Sequence, residues 1–183
     1  MKAPSKEQLQ EWKERYSSAH VLTDGDKSCI IHSPFDDIKV LKRAFPMLQG
    51  NDKLGFVDAI LNNCFLHGDH SVKQDDQFKM GVYEELNELV NIPEYTIKRS
   101  GEIYTVECEG KACKLKAVTR EDLKKAEKRN PNNKPFETSI KLVDMVAGEG
   151  VAEFKANGRL YFALLMAVHE AKERKEVEVK KLW

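Results

Sequence analysis

One pattern occurs twice in this chain and limits what it can fold into. Phe56, Val57, Ile60, Leu61, Cys64 and Phe65 recur at helical spacing and stop at Gly68-Asp69. Further on, Phe136, Ile140, Val143 and Ala147 form a second stripe that stops at Gly148-Glu149. Each stripe must bury its apolar face against another layer. Other landmarks keep the same order: Lys27-Ser28-Cys29 with Lys111-Ala112-Cys113, Asp36-Asp37-Ile38 with Glu121-Asp122-Leu123, and Tyr95-Thr96-Ile97-Lys98-Arg99 with Val177-Glu178-Val179-Lys180-Lys181. Corresponding points lie roughly 80 to 85 residues apart, about one small domain. The expected fold is α+β and mainly helical, a tandem duplication of a small hairpin-plus-helices domain. The first domain is 1–95 and carries an extra N-terminal helix. The second, diverged copy is 96–183, with the join near 96–101 and one topology shared by 17–99 and 100–183.

The local signals fill in the elements. Ser5 caps a helix over 5–16 that places Leu9, Trp12 and Tyr16 on one face. His20–Thr23 and Ser28–His32 read as strands around Asp24-Gly25-Asp26. A helix starts at Asp36 or Asp37 and is limited by Pro46; another runs from Leu54 to Leu66. Asp75 or Asp76 caps a helix carrying Phe78, Val82, Leu86, Leu89 and Val90, closed by Pro93. In the second half, 102–108 and 111–117 flank Glu109-Gly110. A two-residue turn there sets Val106 opposite Cys113 and Tyr104 opposite Leu115. Thr119 caps a helix to Lys128, although Asp122 stands where a capping box favours Glu or Gln. A helix over 136–147 and the apolar run Leu160–Val168 complete the chain.

No catalytic signature emerges. Cys64, His67 and His70 offer zinc-ligand chemistry, but Gly68-Asp69 interrupts the helix between the histidines and no second ligand pair follows. The cysteines at 29, 64, 108 and 113 fit neither a disulfide framework nor a Cys-x-x-Cys pair, so four free thiols and no bound metal are expected. The doublets Asp36-Asp37, Asp75-Asp76 and Glu84-Glu85 suit helix starts and solvent faces better than acid catalysis. Gly148-Glu149-Gly150 is too short for a phosphate loop. These readings lead to a non-enzymatic protein with no catalytic residue and no cofactor.

Charge narrows the partners. Thirty Lys plus Arg balance thirty Asp plus Glu, against the basic excess of a general nucleic-acid binder. The charged helix 120–129 and the runs Lys172–Glu176 and Lys180-Lys181 read as solvated faces, without an aromatic platform. No apolar run reaches membrane-spanning length, and the N-terminus lacks a signal-peptide core. An intracellular protein without a membrane partner is expected.

An N-terminal Trp/Tyr helix, a short hairpin, Pro34 leading into a helix, Ala59–Asp69 and a capped apolar helix follow one another over residues 5–95. This order resembles small proteins of tailed bacteriophages, especially tail assembly chaperone-like proteins. The resemblance implies a hairpin followed by helices, no enzymatic activity, and a role in holding tail proteins during assembly in the host cytoplasm. It transfers no functional residue. Such proteins are commonly a single unit, whereas a second unit is attached here. The alternative is a structural component of the virion (a head, neck or cargo protein); a nucleic-acid-associated phage protein is a third reading. Seven large apolar residues between Leu160 and Val168 exceed one helical stripe, so this helix is expected between the two halves. The partner-binding face is then placed on Phe78, Val82, Leu86 and Leu89.

Overall fold

The structure, a computed structural model, describes residues 2–134 and 136–173. They form helices and two three-stranded antiparallel sheets, an α+β protein. The chain divides into two compact units between Asn91 and Ile92, four residues ahead of the expected boundary. Residues expected at the join instead belong to a strand of the second unit.

The first unit opens with α1 (Lys6–Arg15). Ser5 and Gln8 form a reciprocal capping box that satisfies two otherwise unpaired N–H groups. Strands β1 (Ala19–Asp24) and β2 (Lys27–His32) pair around a two-residue turn at Gly25-Asp26, where Gly25 supplies φ +58°. A 3-10 turn over Pro34–Asp36 leads into α2 (Ile38–Gln49), capped by Asp37. Pro46 does not limit this helix; a further turn follows, and the Gly50 N–H donates to the Pro46 carbonyl.

Helix α3 (Lys53–Cys64) ends two residues before its expected limit. Phe65–Gly68 becomes β3 and joins the free edge of β2. Their apolar pattern extends the helical stripe, but pairing with β2 satisfies their backbone groups in the sheet instead. The expected final helix is two, α4 (Asp76–Gly81) and α5 (Tyr83–Leu89), broken at Val82. Gly81 allows a close approach to β1: a Cβ there would lie 2.4 Å from Asp24 Oδ2.

Side chains alternate across this sheet. Leu22, Cys29 and Ile31 lie on one face and are buried. The opposite face of β2 and β3 carries His32, Ile30 and His67. Helix α1 covers that part: Trp12 packs 6.3 Å from His67, and Tyr16 stacks on His32 at 4.3 Å. The cover stops short of β1. Val21 and Ile30 are cross-strand partners, yet Val21 is 62% exposed and Ile30 only 6%.

The second unit begins with β4 (Tyr95–Ser100), joined by the Gly101-Glu102 turn to β5 (Ile103–Cys108), which pairs with β6 (Lys111–Lys116). Val106 faces Cys113 and Tyr104 faces Leu115, the expected register. Glu109 and Gly110 both take positive φ, as a tight hairpin turn requires. Then come α6 (Arg120–Lys128), α7 (Glu137–Val146), α8 (Val151–Ala156) and α9 (Gly158–Glu173). Asp122 does complete a capping box with Thr119, its shorter carboxylate reaching both the Thr119 N–H and hydroxyl. After α7 the backbone returns to β6: Ala147 bridges Leu115, Gly148 N–H donates to the Lys114 carbonyl, and Lys114 N–H donates to the Glu149 carbonyl.

Helix α9 packs within the second unit. Leu160, Phe162, Leu164, Leu165 and Val168 are buried, and α7, α8, β4 and β5 of the same unit pack on this helix. The expected match of Tyr95–Arg99 with Val177–Lys181 lies outside the described residues.

Candidate functional site

A concentrated polar arrangement lies in the first unit, where α1, β2, the 3-10 turn and α3 meet. It surrounds a cavity of about 350 Å³ lined by Arg15, Tyr16, His32, Asp36, Asp37 and Asn63. Local sequence places each group. His32 ends β2; Ser33 accepts from the Phe35 N–H and starts the 3-10 turn that carries Asp36. Asp37 accepts from the Lys39 N–H as the cap of α2. Asn63, in the last turn of α3, donates to the Ala59 carbonyl and accepts from Arg43.

His32 is buried, with Nδ1 2.9 Å from the Ser33 carbonyl and Nε2 3.3 Å from the Asn63 carbonyl. Asp36 Oδ2 stands 3.6 Å from Nδ1, while its Oδ1 accepts from the Ser17 N–H. Tyr16 lies parallel to the imidazole, and the Arg15 guanidinium sits 5.3 Å from the Tyr16 ring. Histidine beside a carboxylate suggests proton transfer, which needs a nitrogen turned toward a reacting group. Here both nitrogens face backbone carbonyls. The cluster links the end of α1 to the sheet and to two helix ends.

The cysteines are equally committed. All four are buried and free. Burial pushes the Cys64 thiol up to about 12, reinforced by the carboxylates of Asp36 and Asp37. Burial likewise raises Cys29 and Cys113 to about 11. A nucleophilic cysteine needs the opposite shift.

The zinc candidates are not brought together. Cys64 lies in the core, His67 Nε2 is 2.9 Å from the Lys2 carbonyl, and His70 packs on Phe65. Among the described residues no group of three His, Cys, Asp or Glu could hold a metal ion. No helix of the described residues is long and apolar enough to cross a membrane.

Of the expected partner face only Leu89 reaches solvent. Phe78 and Val82 are 2% exposed, Leu86 is fully buried and Leu89 is half-buried. Their stripe faces the core of the first unit, where α4 and α5 pack on α3. Among the described residues the exposed large apolar side chains are Leu9, Val21, Met80 and Ile103. Val21 was the informative one: strict alternation with Leu22 already sets it outward.

Several charges on the second unit's sheet and neighbouring helices form ion pairs. Lys98 reaches Glu107 at 2.8 Å, Lys114 reaches Glu149 at 2.8 Å, Arg159 reaches Glu109 at 3.1 Å, and Lys111 pairs with Glu153. Such exposed pairs add little stability, but they interleave both signs across the surface. A shallow groove of about 840 Å³ in this unit passes Tyr95, Thr96, Cys108 and Lys111.

The fold and this site define an α+β protein of two compact units whose buried polar groups hold elements together. No family model, no curated protein and no solved structure significantly matches the chain.

Proposed function

We propose that this chain is a non-enzymatic bacteriophage protein that binds other phage proteins during tail or virion assembly, in the host cytoplasm and without a cofactor. The resemblance over residues 5–95 motivates the phage assignment. The observation that favours a binding role over catalysis is the enclosure of His32: it is buried, and both ring nitrogens lie against backbone carbonyls, one of which a neutral ring serves as donor. The raised, buried thiols point the same way. The partners are other phage proteins. Interleaved ion pairs on the second unit favour protein over nucleic acid.

The duplication belongs to this proposal. A Cβ on Gly68 would meet the Ser28 carbonyl oxygen and Cys29 Cα, both at 2.6 Å. One on Gly150 would meet the Ala112 carbonyl oxygen at 2.6 Å and Cys113 Cα at 3.1 Å. Ser28-Cys29 and Ala112-Cys113 correspond in the sequence, so the glycine pairing is better drawn as Gly68 with Gly150 than with Gly148. Apart from α1 in the first unit and β4 in the second, both units run hairpin, helix, helix, return to the hairpin, helix, helix. Duplication suits a protein built permanently into a particle, the second reading, a structural virion component.

Mass spectrometry of infected lysate and purified particles separates the readings. An assembly factor is abundant in lysate, co-purifies with a tail protein and is absent from virions. A structural component is present in virions at fixed stoichiometry. Tight nucleic-acid binding that falls steeply with salt, without a protein partner, would overturn both.

A further inference from the structure

Strand β1 is the edge of the first unit's sheet. In its two-residue hairpin, Asp24 and Lys27 form the closing pair. Hydrogen-bonded pairs then fall at every second residue: Asp24 with Lys27, Leu22 with Cys29, His20 with Ile31. The Ser33 N–H donating to the Ser18 carbonyl continues that series. It follows that Ala19, Val21 and Thr23 direct both N–H and C=O away from β2. All three residues are exposed, and Val21 is the most exposed large apolar residue among those described.

Natural edge strands are protected by lysine, proline, a bulge or a covering element. Pairing of β1 with β2 is regular over all six residues, with neither Lys nor Pro in the strand. Helix α1 covers the β2 side and leaves Val21 bare. The other sheet's first strand, by contrast, carries Lys98 and Arg99.

We propose that β1 pairs antiparallel with β1 of a second copy of this chain, about a two-fold axis at Val21. The outward groups are self-complementary in this register. Val21 meets Val21, and Ala19 meets Thr23 twice, so each pair exchanges two hydrogen bonds. His20 then lies opposite Leu22 on the other face. The strand's one charge, Asp24, falls opposite Ser18, so no like charges meet. The product is a continuous sheet of six strands. An isologous contact of this kind closes after two copies. It is independent of the phage assignment. A single short strand pair is a small interface, so the dimer is weak and concentration-dependent.

The test is sedimentation of the full-length chain over a concentration series, with circular dichroism as the folding control. Wild type is expected to shift from monomer to dimer. Val21→Pro removes only an outward N–H and is tolerated at an edge; it should weaken association about tenfold or more. Val21→Lys should do the same by charge repulsion. Under mild oxidation Val21→Cys should form a disulfide-linked dimer, because paired Cα atoms lie about 5.5 Å apart, whereas Ala19→Cys, facing Thr23, should not. A chain that stays monomeric up to about 1 mM, including one that instead takes a strand from a different protein, overturns the proposal. So does a dimer unaffected by folded Val21→Lys, or equal cross-linking of the two cysteine variants.

Discussion

Gly68 and Gly150 show how strictly single residues are specified. Both take positive φ, +124° and +80°, and both press against hairpin backbone. Gly68→Ala and Gly150→Ala should each cost about 1–3 kcal/mol through strain, read as a lower urea midpoint with unchanged slope. Gly25→Ala is the control: φ is +58° but nothing lies within 4 Å, so only about 1 kcal/mol of backbone strain is expected. The thiols give a second residue-scale prediction. Ellman's reagent should leave the native protein nearly untouched and count four thiols after unfolding. Cys64, Cys29 and Cys113 are raised in the folded state, so between the ordinary thiol value near 8.5 and about 11 to 12 the unfolded chain releases protons first. Stability is therefore fully present below that ordinary value and falls as pH rises through the window, by up to about 1.4 kcal/mol per pH unit for each thiol. Cys64→Ala should flatten the decline in alkaline urea titrations.

At the scale of elements, α9 and α4 separate burial from exposure. Phe162 is fully buried, so Phe162→Glu should cost about 4 kcal/mol or more and unfold the second unit. Met80, 48% exposed on α4, should accept glutamate within about 0.5 kcal/mol. Thermal melts monitored by circular dichroism check both. If Phe162→Glu melted like wild type, the packing described for α9 would be wrong. Helix α1 illustrates a different economy. Only Trp12 is buried along it, and its attachment rests on Trp12 against His67 and Tyr16 against His32.

For the whole molecule, two compact units mean two cores of modest size. The first centres on Phe56, Ile60, Leu61, Phe78 and Leu86; the second on Val106, Leu142, Phe154, Phe162 and Leu164. Domains of this length are marginal but often fold alone. Residues 1–91 and 92–183 expressed separately should each unfold cooperatively in urea. Fragments that both remain unfolded at low temperature would refute independent cores.

Much of this was legible in the sequence because it depends on neighbours along the chain. Turn length set the register of Val106 with Cys113, and short polar side chains at Ser5, Asp37 and Thr119 marked helix starts. Apolar stripes located the two cores. Tertiary structure decided what those stripes face. Phe65 and Leu66 continue a helical pattern, yet the edge of β2 drew them into a strand. Phe78, Val82 and Leu86 could equally have met a partner, but α3 covers them. The His32 cluster joins residues from 15 to 63, a proximity that no local spacing records. Periodicity reports which side chains need cover; only the packed chain determines which element supplies it, and at Val21 it supplies none.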